Sequence, residues 1–384
     1  MSRWPKVALS DLILRVERFE DRDDFKTYTF GGTYSYARGI FVSGKKVGSS
    51  FALPRIQRIR KGDFVYCKIM AWEGAFGVVP TEADNCVLSN AFVVYKTNQR
   101  VLDINFLGYY FKVSSHWNAI GSQSTGTNVR RQSLHPSQFE KYQIPLPPIE
   151  KQHAIVTRLD AIADKVRQVE AKLDEIEADL NNICRGLVFS TPNGLANIIP
   201  MREFLTLRRP DVLVSRKEIY HFAGVYSFGR GVFKSVVKSG ADFSYEWLST
   251  IRTGDFTYPK LMAWEGGLGV VPPECDGLVV SPEFPVFSVN TDIVLPEVLD
   301  VYFRTPHIWS QLADISTGTN QRRRRLQPSA FLDYKMPVPL MSIQKQLLEV
   351  LKRGNEIKSK HTETRQALKA LLPSMLEQIF RNHN

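Results

Sequence analysis

The sequence predicts an α+β fold: two pseudo-two-fold-related mixed α/β domains separated by an antiparallel pair of long coiled-coil helices. Three features predict this fold: an internal repeat, a change of composition within each copy, and a regular apolar spacing after that change. The 384 residues align with themselves at a shift of 192 positions, without a gap over long stretches. Such a fused pair is expected to have an approximate two-fold axis, a symmetry that duplex DNA often matches.

The repeat is strongest in three segments. Residues 62–95 and 254–287 match at 20 of 34 positions, and both contain Met-Ala-Trp-Glu-Gly. Residues 124–128 and 316–320 both read Ser-Thr-Gly-Thr-Asn, and Gln152 corresponds to Gln344. The copies predict four parts: a domain at 1–147, a helix at 148–190, a second domain at 191–339 and a second helix at 340–384.

The first part of each copy is rich in Gly, Pro, aromatic and β-branched residues in short alternating runs. These runs predict strands at 62–70 and 92–95 and turns at 44–45 and 81–84, around one central curved sheet. Helices are expected at 105–115 and 297–305. A proline cluster then ends the domain in each copy, at 144–148 and 336–339.

The long helix of the first copy carries apolar residues at alternating steps of four and three. This spacing predicts a narrow coiled-coil seam, with the second long helix as its partner. The second helix is less regular, because Gly354, Lys358, His361 and Arg365 fall on the seam, and Pro373 is expected to kink its last turns. The first seam consists of Ile155, Leu159, Ile162, Val166, Val169, Leu173, Ile176, Leu180, Ile183 and Leu187.

Bulk composition favours a folded protein with a polyanionic partner. Hydrophobic residues make up 43% and aromatic residues 11%, which is enough for a core in each domain. The net charge of +11 is shared almost equally by the two copies. Four cysteines without a CxxC pair are expected to be free, buried thiols, and neither a signal segment nor a membrane span is recognisable. We therefore expect a cytoplasmic protein.

Residue patterns for catalysis or metal binding are lacking. His116, His135 and His153 correspond to Ile308, Gln327 and Lys345, so the duplication has not retained a histidine in both copies. Metal-ligand spacings, a P-loop and a nucleophile elbow are missing. We therefore expect no cofactor in this chain.

The basic Gly-Thr-Asn segments are the strongest candidate for DNA contact. Small hydroxyl residues around glycine allow backbone N–H groups to approach a phosphate, and arginine can donate to a phosphate or to guanine. A solvated turn is the alternative. The expected contact residues are Thr125, Gly126, Thr127, Asn128, Arg130 and Arg131, with Thr317, Gly318, Thr319, Asn320, Arg322, Arg323 and Arg324.

Interleaved aromatic and basic residues near the start of each copy form a second candidate. Tyr36 and Arg38 in the first copy, and Arg230 and Lys234 in the second, are expected to contact DNA. Trp72 and Trp264 favour a core position over base stacking. Glu73 and Glu265 could either hold a turn or accept a hydrogen bond from cytosine.

Taken together, these motifs resemble the specificity subunit of type I restriction-modification systems, over nearly the whole chain. The matching segments are Ser-Thr-Gly-Thr-Asn-x-Arg-Arg, Ile-Pro-Leu-Pro-Pro-Ile-Glu-Lys-Gln at 144–152 with its weaker copy at 336–344, and the Ala-Trp-Glu-Gly stretch. The resemblance implies two target-recognition domains, each reading half of a bipartite site in double-stranded DNA, and a helix pair that sets the spacing between the halves.

The resemblance also implies a non-catalytic subunit with catalytic partners. Two methyltransferase subunits would carry S-adenosylmethionine, and restriction subunits would join that core. The family often has unlike recognition domains, whereas these two are similar. We therefore predict related half-sites in inverted orientation. Alternatives are the recognition part of a nuclease-methyltransferase, a DNA-binding regulator or phage-defence component, and a scaffold that does not bind DNA.

Overall fold

The computed structural model describes residues 4–124, 132–189, 197–318 and 324–381. The chain divides into two compact units, the first formed by residues 1–171 with 362–384 and the second by residues 172–361. The division falls within both long helices, so each unit contains part of each helix. A unit is therefore built from residues of both repeat copies.

Unit 1 contains three sheets made of short strands. Their orders are β1-β11, β2-β10-β7-β8 and β3-β6-β9-β4-β5, and within them only β4 and β9 pair in parallel. The strands are β1 (Lys6–Ala8), β2 (Ile13–Arg15), β3 (Phe19–Asp21), β4 (Thr27–Thr33), β5 (Ile40–Val47), β6 (Arg55–Arg58), β7 (Phe64–Cys67), β8 (Phe76–Val78), β9 (Val87–Leu88), β10 (Phe92–Thr97) and β11 (Gln143–Pro145).

Unit 2 repeats this topology strand for strand. Its sheets have the orders β12-β22, β13-β21-β18-β19 and β14-β17-β20-β15-β16, with the parallel pair at β15 and β20. The strands are β12 (Asn197–Pro200), β13 (Leu205–Leu207), β14 (Val212–Leu213), β15 (Ile219–Tyr226), β16 (Gly231–Ser239), β17 (Trp247–Thr250), β18 (Phe256–Thr257), β19 (Gly269–Val270), β20 (Val279–Val280), β21 (Val286–Val289) and β22 (Lys335–Val338).

Short helices pack against the four-stranded sheets, and a long helix follows each domain. In unit 1 the rings of Phe64, Tyr66, Phe76 and Phe139 form a buried stack, in which Tyr66 and Phe139 are 4.8 Å apart between centroids. The helices are α1 (Ile104–Lys112), α2 (Ser114–Gly121), α3 (Pro136–Lys141), α4 (Ile149–Phe189), α5 (Pro296–Phe303), α6 (Pro306–Asp314), α7 (Pro328–Asp333) and α8 (Met341–Arg381).

The end of a long helix completes the core of each unit. In unit 1 the buried ring of Phe380 from α8 lies 5.5 Å from Phe106 and 5.4 Å from Tyr110. In unit 2 the corresponding Val188 from α4 is fully buried, and the neighbouring Phe189 stacks on Tyr302 at 5.2 Å. The mixed α/β domains and long helices that the sequence predicts are confirmed.

The helix seam departs from the predicted spacing at one position in the middle of α4 and again near its end. Val169 and Ile183 are 39% and 51% exposed, although both lie on the predicted seam. Cys184 and Val188 are buried instead, because this part of α4 packs against the sheet domain of unit 2. At this end of α4 the buried stripe therefore follows the domain surface and not the 3.5-residue repeat.

Polar positions on the second helix have specific partners within unit 2. His361 is buried, and its Nδ1 lies 3.0 Å from Oε1 of Glu177. A Cβ on Gly354 would lie 3.9 Å from Leu180, so the glycine sits opposite that leucine. The pairs 177–361 and 180–354 show that the helices run antiparallel here. Helix α8 is continuous from Met341 to Arg381 and includes Pro373.

Several local predictions are wrong. Each unit has three sheets, of two, four and five strands, where one central sheet was expected. The strand predicted at 62–70 ends at Cys67, and a 3-10 helix follows at Lys68–Glu73. Residues 44–45 lie inside β5, where Gly44 sits at a bulge between the pairs Thr29–Lys45 and Gly31–Val42. The chain reverses instead at residues 34–39.

Candidate nucleic-acid interface

The basic Gly-Thr-Asn segments are only partly described. Thr125, Gly126, Thr127, Asn128, Arg130, Arg131, Thr319, Asn320, Arg322 and Arg323 lie outside the described residues, so their assignment stays a prediction. In unit 2, Thr317 and Arg325 exchange two backbone hydrogen bonds, of 3.0 and 2.8 Å, across the base of the segment. Thr317 and Gly318 are exposed, and Arg324 is half-buried.

The base of each basic segment is attached to the start of the Ala-Trp-Glu-Gly region. In unit 2 the Leu326 N–H donates to the Lys260 carbonyl at 2.9 Å, and in unit 1 the Leu134 N–H donates to the Lys68 carbonyl at the same distance. Lys68 begins the 3-10 helix Lys68–Glu73. The most similar stretch of the two copies therefore supports the segment that the sequence singled out.

The end of the same 3-10 helix holds the tip of the β4–β5 hairpin. The N–H groups of Tyr36 and Ala37 donate to the carbonyls of Glu73 and Gly74, both at 2.7 Å. Unit 2 has the same pair of bonds, from Phe228 to Glu265 at 2.8 Å and from Gly229 to Gly266 at 2.9 Å. We call residues 34–39 and 226–231 the hairpin tips.

Glu73 and Glu265 hold the hairpin tips through their side chains as well. The Ser35 hydroxyl donates to Glu73 Oε2 at 2.8 Å, and the Ser227 hydroxyl donates to Glu265 Oε2 at 3.5 Å. Of the two alternatives for these carboxylates, the structure supports the turn-holding role. Trp72 and Trp264 are half-buried, and their indole N–H groups donate to the carbonyls of Ile69 and Leu261.

A second pair of tryptophans explains the glycine that ends each Ala-Trp-Glu-Gly motif. Gly74 has a φ of +74°, and a Cβ there would lie 2.7 Å from the ring of Trp117. A Cβ on Gly266, with φ +78°, would lie 2.5 Å from the ring of Trp309. Only glycine fits both the left-handed backbone and the ring.

The hairpin tips expose an aromatic side chain on a left-handed backbone. Tyr36 has a φ of 62° and is 65% exposed, and Phe228 has a φ of 63° and is 64% exposed. Ala37, beside Tyr36, is also left-handed at 50°. Non-glycine residues adopt this conformation at a cost, and such strain concentrates at functional sites.

Each hairpin tip also exposes an arginine. Arg38 and Arg230 are exposed, and each Nε donates to a backbone carbonyl, of Ser35 and Ser227 respectively, at 3.1 Å. Lys234 is exposed on β16, next to the second tip. The structure thus brings Tyr36 with Arg38, and Arg230 with Lys234, onto one hairpin in each unit.

Other basic residues of unit 1 have structural partners. The Arg58 guanidinium pairs with Glu20 and donates to the Asn85 carbonyl at 2.8 Å, and Arg55 lies 3.5 Å from Asp21. These arginines join strands within the domain.

Sequence reasoning missed two glycines and the phenylalanine rings that pack on them. A Cβ on Gly32 would lie 2.5 Å from the ring of Phe41, and a Cβ on Gly224 would lie 2.7 Å from the ring of Phe233. Both pairs are identical in the two copies, so strict identity at the 192-residue shift is the signal that would have found them.

Within residues 4–124, 132–189, 197–318 and 324–381, the acidic, histidine and cysteine side chains form no group that could hold a metal ion. No described helix is long and apolar enough to cross a membrane. Cys67, Cys86, Cys184 and Cys275 are free and buried, as predicted, and burial raises the pKa of each thiol.

Comparison with known proteins points to one family. Residues 1–178 match the type I restriction modification DNA specificity domain. A segment of 96 residues is 26% identical to the specificity subunit of the type I restriction enzyme EcoKI from Escherichia coli K12. That segment spans 25% of this chain and only 20% of the relative's length.

Two solved structures share the fold over nearly the full chain. The HsdS subunit from Thermoanaerobacter tengcongensis matches with a TM-score of 0.52 and 17% identity, over 99% of this chain and 97% of the other. A chain from a structure on complex assembly and conformational transition of the type I R-M system matches with a TM-score of 0.66 and 17% identity, over 100% and 99%. Residues 1–178 are therefore similar to the type I restriction modification DNA specificity domain, and nearly the whole chain shares its fold with these two structures.

Proposed function

We propose that this chain is the non-catalytic DNA-reading subunit of a type I restriction-modification complex. Each unit would bind one half of an interrupted site in double-stranded DNA. The observation that carries the proposal is the duplicated hairpin tip, which exposes an aromatic ring beside an arginine in both units. An exposed aromatic ring can pack against a base or sugar, and the arginine guanidinium beside it can donate hydrogen bonds to a base edge or to a phosphate.

The catalytic steps would belong to partner chains. Two methyltransferase subunits carrying S-adenosylmethionine would modify adenine, and restriction subunits would cleave. This assignment is supported by the family, by the lack of a duplicated histidine in the sequence, and by the free thiols, which suit a complex acting on DNA in the cytoplasm. In this role the chain would position its partners on the site.

The two half-sites would be related and inverted, giving an interrupted near-palindrome. The support is the 20 of 34 identical positions across the Ala-Trp-Glu-Gly region and the equal strand order of the two units. Where the hairpins differ, as at Val42 and Lys234, the half-sites are expected to differ.

Mapping methylated adenines tests this function. Host DNA is sequenced for modified bases with the gene intact and with it deleted, and the chain is purified from the host. Loss of one bipartite motif on deletion, together with methyltransferase subunits that co-elute with the chain, is the expected result. An unchanged methylation pattern and no co-eluting methyltransferase would favour a DNA-binding regulator, and two unrelated half-sequences would contradict the near-palindrome.

A further inference from the structure

Each tip arginine lies over the outer ring of a packed aromatic pair. In unit 1 the Phe41 and Tyr34 ring centroids are 4.5 Å apart at an interplanar angle of 40°, and the Arg38 Cζ lies 5.0 Å from the centroid of Tyr34. In unit 2 the Phe233 and Tyr226 centroids are 3.7 Å apart at an interplanar angle of 13°, and the Arg230 Cζ lies 4.7 Å from Tyr226. A guanidinium over an aromatic face is attracted to the ring, so Tyr34 and Tyr226 restrict where each guanidinium lies.

The hydrogen bond from Nε restricts the orientation of each guanidinium further. Because Nε donates to the carbonyl three residues earlier, the edge formed by the two terminal nitrogens is left for an external acceptor. Among the described residues, no carboxylate lies within 4.0 Å of the Arg38 or Arg230 guanidinium. Both guanidiniums are therefore held in one orientation without being neutralised.

A preorganised guanidinium edge matches one base edge in particular. Guanine presents O6 and N7 side by side in the major groove, and arginine binds them with two parallel hydrogen bonds. A phosphate accepts from many directions and does not require a fixed donor plane. The exposed ring of Tyr36 or Phe228 beside the arginine also suits a base better than a charged backbone.

We propose that Arg38 and Arg230 each read a guanine, one in each half-site and at equivalent positions. The inference rests on the proposed DNA-reading function and adds which base is read and which residue reads it. It makes the tip arginines specificity-determining residues, supported by Ser35, Tyr34 and Phe41 in unit 1 and by Ser227, Tyr226 and Phe233 in unit 2. Fixing the side chain in advance lowers the entropic cost of forming the two bonds.

A binding selection from a randomised duplex library tests the inference with the full chain, purified with any subunits that co-elute. The wild type is expected to select two half-sites that each contain a guanine at the same position. Arg38→Ala is expected to lose that guanine preference in one half-site only, and Arg230→Ala in the other only. Arg38→Lys should also lose the guanine preference, because a lysine ammonium cannot donate the two parallel hydrogen bonds of a guanidinium.

Replacing by 7-deazaguanine only the guanine that Arg38→Ala no longer selects removes N7 from one half-site and tests the contact on wild-type protein, without any concern about folding. Wild-type affinity is expected to fall by at least about 5-fold, while Arg38→Ala should bind both duplexes equally. Arg55→Ala is the matched control, because Arg55 is also exposed and lies over an aromatic ring, 5.2 Å from the centroid of Phe19. It should leave the guanine preference unchanged.

The outcomes separate this inference from the proposed function. If Arg38→Ala weakens binding to all sequences alike and keeps both guanines, the arginine contacts phosphate and the inference is wrong, although the chain still reads DNA. If the wild type selects no sequence, the DNA-reading function itself fails. A motif with guanine in neither half-site would also overturn the inference.

Discussion

Gln152 and Gln344, 192 positions apart, make the same three hydrogen bonds. Gln152 Nε2 donates to the carbonyls of Val101 and Pro147 at 2.8 Å, and its Oε1 accepts from the Asp103 N–H at 2.9 Å. Gln344 bonds in the same way to Ile293, Pro339 and Leu295, at 2.7–2.9 Å. Both amides are buried, so each ties the start of a long helix to its domain.

Replacing either glutamine is expected to lower the free energy of unfolding by about 2–4 kcal/mol, because Gln152→Leu leaves the carbonyls of Val101 and Pro147 and the N–H of Asp103 without their partner. Chemical denaturation measures the loss. Gln143→Leu, at an exposed position of β11, is the control and should have little effect. A loss equal to that of the control would show that water replaces the amide.

The ring of Phe380 is expected to stabilise unit 1 although it lies near the end of the chain. Phe380→Ala removes a buried ring that contacts Phe106, Tyr110 and His116, which should cost about 3–5 kcal/mol. Hydrogen exchange should show lost protection in unit 1. Leu371→Ala, on the same helix and 40% exposed, is the control. Protection lost equally in unit 2 would contradict a local role.

Gly74 and Gly266 are expected to tolerate no side chain. Gly266→Ala places a methyl group 2.5 Å from Trp309 on a left-handed backbone, so unfolding free energy should fall by about 1–3 kcal/mol. The hairpin tip should shift with it and DNA affinity should fall. Gly186→Ala, inside α4 with nothing within 4 Å, should instead stabilise the helix by about 0.5–1 kcal/mol. Unchanged DNA binding in Gly266→Ala would argue against the role of the tip.

His116 is expected to make the stability of unit 1 depend on pH. Burial lowers the pKa of this imidazole below 6.5, against the opposing effects of the Tyr110 carbonyl and Glu377. As pH falls below about 6.5, the unfolded chain binds a proton that the folded chain does not, so stability decreases by at most about 1.4 kcal/mol per pH unit.

The repeat supplies the matched variant for this test, because Ile308 occupies the corresponding buried position in unit 2. Chemical denaturation of wild type and His116→Ile between pH 5 and pH 8 measures how the free energy of unfolding of each protein depends on pH. This range extends about 1.5 units to either side of the ordinary histidine pKa. The variant should lose the acid-dependent decrease. An identical pH dependence in both proteins would show that other groups cause it.

The sequence alone determined the duplication, the fold class, the long helices and the free cysteines. These properties follow from residue identity at fixed spacing, which is local information. It also indicated Tyr36, Arg38, Arg230 and Lys234 as candidates for DNA contact. Charge alone does not distinguish an arginine that pairs with Glu20 from one stacked on Tyr34.

Tertiary structure decided which residues meet. The seam leaves its predicted spacing at Ile183 because the end of α4 packs on a domain, and Glu73 holds a hairpin tip because Ser35, 38 positions earlier, folds back onto it. The core of unit 1 is completed by Phe380, far along the chain from Phe106. Contacts at such separations depend on how the sheets and helices pack together, and no local pattern of residues encodes that packing.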